Sequence, residues 1–151
     1  MDDLLQLLAD ERDIARLISA YGPLVDSGRS SKVADLWTED GVYDVDGYYM
    51  SGREQIRAMV ESEAHQGLIA RGCAHIQGLP HINVTGDTAT AVCHSTLVLR
   101  HDERFHIARA GANRFDLART PDGWRIRRRT TRVLDGSATP LELLASIADP
   151  M

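Results

Sequence analysis

The spacing of the apolar residues changes at Gly72, and this change constrains the fold more than any other feature of the sequence. Before Gly72, apolar residues recur every three or four positions, as in amphipathic helices. After Gly72, the pattern has the period of two that is typical of β-strands, and polar turns divide it into runs at residues 74–85, 88–100, 105–119 and 124–134. Helices followed by consecutive strands predict an α+β fold.

The N-terminal half is predicted to be mainly helical. The first helix carries one apolar stripe, and Pro23 either kinks it or ends it just before Asp26. Pro80 predicts a bulge in the first long strand, because proline donates no ladder hydrogen bond. Shorter helices are predicted at residues 30–38, from residue 52 onward, and at residues 141–147. A hairpin around Asp46-Gly47 is predicted to join strands at residues 42–45 and 48–50.

The long strands must bury one face of their sheet against the N-terminal helices. A sheet with few helices to cover it would curl around them and enclose a pocket. We predict a single domain over residues 1–151, because a chain of 151 residues buries a sizeable core without disulfides or metals.

Charge and composition argue against several classes of protein. The net charge of −5 gives no general support for nucleic-acid binding. No apolar run approaches the roughly 20 residues of a membrane span. Cys73 and Cys93 are isolated thiols without metal-ligand spacing, which favours a reducing compartment. The acidic N-terminus is not followed by a signal peptide, so we predict a cytoplasmic protein without a nucleic-acid or membrane partner.

His75 is the first candidate for chemistry, because histidine has the ordinary pKa best placed for proton transfer near neutral pH. In a strand it shares a face with Gln77. Asp26 is its natural partner, since a carboxylate beside a histidine fixes the tautomer and stabilises the imidazolium. The plainer interpretations are a packed or surface histidine and a turn aspartate before Ser27-Gly28.

Two polar residues on otherwise apolar strand faces are further candidates. His94 shares its face with Thr96, and Asn113 shares its face with Phe115. Each would need a hydrogen-bond partner if buried, so a satisfied core residue is as good an interpretation as a ligand contact. Tyr43, on a short strand, would either pack or donate to a substrate oxygen.

Other patterns favour structural roles. Arginine occupies both faces of the last strand, which indicates solvent or a subunit interface (Arg125, Arg127, Arg128, Arg129, Arg132). The remaining histidines lie in polar or turn-like contexts (His65, His81, His101, His106). No metal-binding spacing and no glycine-rich phosphate loop occur, so no metal is predicted. One apolar face of the 88–100 strand is predicted to point outward and to be covered by another subunit (Ala89, Ala91, Cys93, Leu97, Leu99).

The order and spacing of several motifs resemble the SnoaL-like branch of the nuclear-transport-factor-2-like superfamily. The resemblance covers nearly the whole chain and is carried by Leu24-Val25-Asp26, Leu36-Trp37-Thr38-Glu39-Asp40-Gly41-Val42-Tyr43, Ser51-Gly52-Arg53-Glu54-Gln55-Ile56, His75, Gly86-Asp87-Thr88-Ala89-Thr90-Ala91 and Asp122-Gly123-Trp124-Arg125-Ile126. It implies a cone-shaped, curved mixed or antiparallel sheet wrapped around N-terminal helices.

A narrower resemblance to scytalone dehydratase and lindane dehydrochlorinase implies an Asp26–His75 dyad that removes a proton from carbon. By the same resemblance, His94, Asn113 and Tyr43 would contact substrate. A second tyrosine of scytalone dehydratase is replaced here by Val25, and Tyr21, one helical turn earlier, is the candidate to substitute for it. Trp37 and Phe115 complete the predicted substrate-binding set.

These observations lead to a functional hypothesis at the level of reaction class. We predict a cofactor-independent, dehydratase-like lyase that acts on a small, apolar cyclic molecule such as a hydroxylated aromatic, polyketide or steroid-like compound. The alternatives are a non-catalytic small-molecule-binding or dioxygenase β-subunit-like module, and a cyclase or isomerase that uses the same dyad. A homo-oligomer, either dimer or trimer, is also predicted.

Overall fold

The computed structural model describes residues 1–149. The final two residues of the predicted domain lie outside this range. In chain order the elements are α1 (Asp2–Asp26), α2 (Ser30–Asp35), β1 (Trp37–Val45), β2 (Tyr48–Ser51), α3 (Arg53–Glu61), α4 (Glu63–Arg71), β3 (Cys73–Gln77), β4 (His81–Thr85), β5 (Thr88–His101), β6 (Arg104–Thr120), β7 (Gly123–Val133), α5 (Ala138–Ala145) and a short 3-10 helix (Ser146–Ala148).

The strands form one curved, mixed sheet in the order β2-β1-β7-β6-β5-β3. Strand β4 also pairs with β5, along its first half, whereas β3 pairs with its second half. All pairs are antiparallel except β1 with β7. Helix α1 packs against β3, β4 and β7 and fills the concave side of the sheet. The predicted α+β fold, with a curved sheet around N-terminal helices, is therefore confirmed.

The core lies between α1, α3 and the concave face of the sheet. The apolar stripe of α1 recurs at helical spacing, so one side of the helix is buried along its length. The fully buried side chains of largest volume include Trp37, Phe115, Ile14, Ile18, Ile56, Leu117 and Ile126. Within the described residues, no helix is both long enough and apolar enough to cross a bilayer.

Several predicted boundaries were wrong. Residues 74–85 form two strands, β3 and β4, because Gly78-Leu79-Pro80 interrupts the pairing with β5. Trp37 begins β1 instead of lying in the predicted 30–38 helix, and Glu39-Asp40-Gly41 forms an irregular segment inside that strand. The helix predicted after Gly52 is two helices, since Ser62 adopts an extended conformation and caps α4.

The inner and outer faces of β5 are the reverse of the prediction. Ala89, Ala91 and Cys93 belong to the buried core, and Leu97 lies on the concave face beyond them. The opposite face carries the exposed His94. The argument for an oligomer from an uncovered Ala89–Leu99 face therefore fails, and the oligomer stays a prediction.

Two polar clusters fix the ends of the sheet. Asp10, 4% exposed on α1, accepts hydrogen bonds from both terminal nitrogens of Arg119 at 2.7 and 2.8 Å and from the indole of Trp124 at 3.0 Å. Asp44 on β1 is paired in the same way with Arg132 of β7. In both clusters the hydrogen bonds from the arginine lower the pKa of the buried carboxyl group, and for Asp10 they hold it well below its usual range.

Candidate active site

The C-terminal end of α1 is pressed directly onto β3. The helix continues through Pro23 and ends at Asp26. Gly22 faces β3, and a Cβ atom at this position would collide with the carbonyl oxygen of His75. Glycine is therefore required for this close approach, which places Asp26 beside the side chain of His75.

Asp26 and His75 are joined by two hydrogen bonds. The ring Nδ1 of His75 lies 2.6 Å from Oδ1 of Asp26, and the backbone N–H of His75 donates to Oδ2 at 2.7 Å. Both carboxylate oxygens thus hold the same residue, and the imidazole is fixed in position and in tautomer. Because Nδ1–H donates to Asp26, Nε2 is the ring nitrogen that carries the free lone pair.

Burial lowers the pKa of His75 below its ordinary value, and the hydrogen bond that the ring donates to Asp26 opposes this effect only in part. The imidazole is therefore neutral at neutral pH, which is the form that can accept a proton. The side chain is about one quarter exposed (26%), so it can be reached by a ligand.

His75 borders an apolar pocket of about 290 Å³ between the helices and the sheet, at the small end of the range for ligand sites. Apolar and aromatic side chains form most of the wall. The lining residues are Tyr21, Val25, Tyr43, Val45, Tyr48, Met50, Met59, His65, His75, Gln77, Ser95, Thr96, Leu97, Arg109, Arg129 and Thr131.

Arg129 is a pocket residue that the sequence analysis assigned to solvent or a subunit interface. Its side chain is buried (3% exposed), and its guanidinium lies over the rings of Tyr21, Tyr43 and Phe115 at 4.6, 4.8 and 5.0 Å. Among residues 1–149 it makes no ion pair, and its Nη1 has no hydrogen-bond partner. A buried cation without a carboxylate partner makes this wall of the pocket suited to an anionic or oxyanionic ligand group.

The prediction that the arginines of β7 face solvent or another subunit was wrong for Arg129 because the strand is irregular. Trp124 and Ile126 point inward, so strict alternation would place Arg128 inward as well. Arg127 is an extra residue opposite the Asp116/Leu117 step of β6, and this bulge puts Arg129 on the concave face. Arg128 instead pairs with Asp44.

Asn113 supports Arg129 from behind the pocket wall. It is fully buried and does not line the pocket. Its Oδ1 accepts hydrogen bonds from Nε and Nη2 of Arg129 at 3.0 and 2.8 Å and from Thr131 at 2.7 Å. Its Nδ2 donates to Ser95 at 2.6 Å. The structure therefore places Asn113 behind the pocket wall, where it orients the guanidinium of Arg129. It does not reach the pocket, where it was predicted to contact substrate.

The predicted aromatic residues fall into two groups. Tyr21 and Tyr43 line the pocket, with ring centroids 6.3 Å apart, whereas Trp37 and Phe115 are fully buried beneath them. The hydroxyl of Tyr21 has no hydrogen-bond partner within the described part of the chain. Burial raises the pKa of Tyr21 above its usual range, so its hydroxyl stays protonated and can donate to a ligand.

Two histidines were misjudged. His94 is exposed on the outer face of the sheet and does not line the pocket. His65, predicted to lie in a polar context, is buried on α4 and borders the pocket. Its Nε2–H donates to the carbonyl of Val25 at 3.0 Å, and its ring lies 5.6 Å from that of His75. The serine cap at Ser62, one turn before His65, was the local signal for this helix.

Two further features border the dyad and the pocket. Cys73 lies on the same face of β3 as His75, and its Sγ is 3.5 Å from Oδ1 of Asp26. At the mouth of the pocket, Arg109 of β6 forms an ion pair with Asp46, at the tip of the hairpin between β1 and β2.

A family model described as "SnoaL-like domain" matches residues 6–130. The chain belongs to the SnoaL-like domain family. A solved NTF2-like protein with a cystatin-like fold from Novosphingobium aromaticivorans is 44% identical to this SnoaL-like chain. The match covers 95% of this chain and 94% of that protein, with a TM-score of 0.93. Among curated proteins, none is significantly similar to the chain.

Other solved structures share the fold at lower identity. A proposed aromatic ring hydroxylase from Novosphingobium aromaticivorans is 25% identical, over 91% of this chain and 97% of that one, with a TM-score of 0.70. A protein of unknown function from Mycobacterium tuberculosis is 21% identical, over 97% and 90%, with a TM-score of 0.75. These matches support the fold of the SnoaL-like chain.

Proposed function

We propose that this SnoaL-like protein is a cofactor-independent lyase of the dehydratase type, in which His75 removes a proton from a carbon atom of a small cyclic substrate. The observation that carries the proposal is the double hydrogen bond between Asp26 and His75. It fixes the position and tautomer of the imidazole, which burial keeps neutral, so that Nε2 is free on the wall of an apolar pocket. This is the arrangement that general-base catalysis needs.

Arg129 is the group proposed to stabilise the negative charge that develops on the substrate. When His75 takes the proton, negative charge develops on a carbonyl oxygen conjugated to the reacting carbon. The unpaired Nη1 of Arg129 is a preorganised donor for that oxygen on the wall of an apolar pocket. Tyr21 offers a second donor, because its buried hydroxyl also lacks a protein partner among residues 1–149. The substrate class is therefore a cyclic ketone or related carbonyl compound. Its hydroxyl group lies on the carbon next to the one that loses the proton.

The elimination balances without a cofactor. The C–H bond breaks toward Nε2 of His75, a C=C bond forms, and the C–O bond of the hydroxyl group breaks. Because His94 lies outside the pocket, the departing oxygen takes its proton from the imidazolium of His75. Water leaves, and the groups of the protein return to their starting protonation states.

An isomerase on the same dyad is the second candidate. The position of His94 favours it, since this histidine, which was predicted to contact substrate, lies outside the pocket and cannot protonate a leaving hydroxyl group. In that case the imidazolium of His75 returns its proton to a different carbon, and Arg129 stabilises the intermediate enolate in the same way.

The test is proton exchange in D₂O with a panel of hydroxylated bicyclic ketones and steroid ketols, followed by mass spectrometry. Wild type is compared with His75→Ala and with the control His94→Ala, which removes an exposed histidine on the outer face. We expect water loss and carbon-bound deuterium in wild type and in the control. The rate should fall by about 10²–10⁴-fold in His75→Ala.

The outcomes separate the alternatives. Exchange without loss of water would favour the isomerase. Saturable binding that is equal in wild type and His75→Ala, without exchange, would refute the lyase and favour a non-catalytic binding module. Equal exchange rates in wild type and His75→Ala would show that His75 is not the base.

A further inference from the structure

The dyad has a third polar neighbour that the proposed reaction does not use. Cys73 and His75 are two positions apart on β3, so both side chains point toward the end of α1. One donor atom from each of Asp26, Cys73 and His75 lies within 4.8 Å of the other two. Carboxylate, thiolate and imidazole are the three ligand types that protein zinc sites use.

We propose that Asp26, Cys73 and His75 form a binding site for a thiophilic divalent metal ion such as Zn²⁺, and that a bound ion switches the dyad off. The proposal goes beyond the reaction described above, since it concerns a state of the protein in which His75 is not a base. It rests on the geometry of the three donor atoms.

The donor separations are compatible with a tetrahedral ion after modest movement of the side chains, and the sulfur and the imidazole nitrogen start within 4.8 Å of each other. Zinc bonds of about 2.0–2.2 Å to oxygen and nitrogen and about 2.3 Å to sulfur place tetrahedral ligands about 3.6 Å (S to O) and about 3.4 Å (N to O) apart. The Sγ of Cys73 is already 3.5 Å from Oδ1 of Asp26. The Nδ1 of His75, now 2.6 Å from that oxygen, would retreat by about 0.8 Å.

The charges also match. Two anionic ligands, Asp26 and the thiolate of Cys73, neutralise a divalent ion completely, and His75 adds a neutral donor. Cys73 and His75 are partly exposed, so an ion can reach them, and water would complete the tetrahedron.

Metal binding would silence the base through the tautomer of His75. Without metal, the ring proton is on Nδ1 and the lone pair of Nε2 faces the pocket. With metal on Nδ1, the ring proton moves to Nε2 through solvent, and Nε2 can no longer accept one. The thiol of Cys73 loses its proton to solvent, so one proton is released for each ion bound.

The test uses Co²⁺ as a spectroscopic substitute for Zn²⁺, with the full chain kept reduced. We expect wild type to bind one equivalent and to develop a sulfur-to-cobalt charge-transfer band together with the intense visible bands of tetrahedral Co²⁺. Cys73→Ser should lose the charge-transfer band and bind at least about 10–100-fold more weakly, the loss that follows even from removing an outer-shell partner.

Cys93→Ser is the matched control. Cys93 is the second free thiol, buried on β5, with its Sγ 3.9 Å from Gln77 and no place in the donor cluster. Its removal should leave the band and the affinity unchanged. A band that persists in Cys73→Ser, that vanishes in Cys93→Ser, or that never forms in wild type at millimolar Co²⁺ would overturn the proposal.

Nitrogen-15 NMR of the histidine side chains gives a second readout. We expect Zn²⁺ to move the proton of His75 from Nδ1 to Nε2, and an unchanged tautomer at saturating metal would contradict the switch. Neither experiment needs a substrate. A metal site in a protein that exchanges no carbon-bound proton would refute the proposed reaction and leave the metal site and its change of tautomer standing.

Discussion

The two ends of α1 meet the sheet through different chemistry. Near its start, Asp10 is saturated, because it accepts hydrogen bonds from Arg119, Trp124 and Gln6. At its last residue, Asp26 holds a histidine, and the nearby Arg129 keeps a donor that no described residue accepts. Both ends bury charge, but only the first pairs it with an opposite charge.

The difference separates stability from function. A buried carboxylate with a full set of donors fixes the position of a helix and offers nothing to a ligand. A buried cation with an unused donor costs folding free energy, and such a cost is typical of sites that bind or react. The start of α1 is therefore an anchor, and its end belongs to the candidate active site.

The largest effect should come from Asp26→Asn. The asparagine keeps the size of the side chain, but its amide would donate to Nδ1 and force the ring proton of His75 onto Nε2. We expect proton exchange to fall by about 10²–10⁴-fold with the fold retained, as measured by mass spectrometry and circular dichroism. Exchange at the wild-type rate would show that the orientation of His75 does not depend on Asp26.

Arg129→Met should give the next largest effect on activity. The proton-transfer rate should fall by about 10²–10³-fold, the loss typical of removing one oxyanion donor. The unfolding free energy should change by less than about 2 kcal/mol, because Oδ1 of Asn113 keeps its bond to Thr131 and a buried charge is removed.

The control for this variant is Arg127→Met, which removes an exposed arginine from the bulge two residues earlier. It should leave activity and stability unchanged. If Arg129→Met unfolded the protein, Arg129 would be an anchor like Arg119, and the contrast between the two ends of α1 would disappear.

Asp10→Ala should have the opposite effect to Arg129→Met, because it should lower stability and leave activity unchanged. The variant leaves the buried indole N–H of Trp124 without its acceptor and Arg119 without its main partner. We expect the unfolding free energy to drop by about 2–3 kcal/mol in denaturant titrations, with exchange activity of the folded fraction retained. Asp13→Ala, which removes an exposed carboxylate from the same helix, should change stability little.

The smallest effect on exchange activity is expected from a moderate change of pH. The pKa of His75 is lowered from 6.5 by burial, so the acid limb of exchange should have its midpoint below pH 6.5. For the same reason the stability contributed by neutral His75 is present above pH 6.5 and is lost as the pH falls through the folded-state pKa.

Asp10 titrates in a lower range. Its pKa is held far below 3.8 by Arg119, so its stabilising contribution is complete above pH 4 and is lost only on further acidification. The protein should therefore pass through a folded, inactive state on acidification. Loss of structure together with activity would contradict this order.

The sequence was informative where a local pattern decides the structure. Gly72 marks the change from helices to strands, Asp46-Gly47 forms the hairpin tip, and the pair Asp26 and His75 was placed side by side. Periodicity and turn chemistry carried the first two predictions, which are local. The pairing of Asp26 with His75 joins residues 49 positions apart, and the family resemblance carried it.

The sequence failed where an irregularity changes which residues face inward. The bulge at Arg127 reverses the expected faces of β7, and strict alternation therefore hid Arg129. The alternation of β5 was recognised, but the pattern alone did not say which face meets the helices, so His94 was assigned to the wrong side. Such errors follow from the period of two, since a shift of one residue exchanges the two faces.

The ion pair between Asp46 and Arg109 has a kinetic consequence. It ties the tip of the β1–β2 hairpin to β6 across the mouth of the pocket, and both side chains are partly exposed to solvent. Dissolved salt weakens such pairs, so the hairpin should open more often as ionic strength rises. We expect ligands to enter and leave faster at high salt, and stopped-flow rates that are independent of salt would exclude the hairpin as a gate.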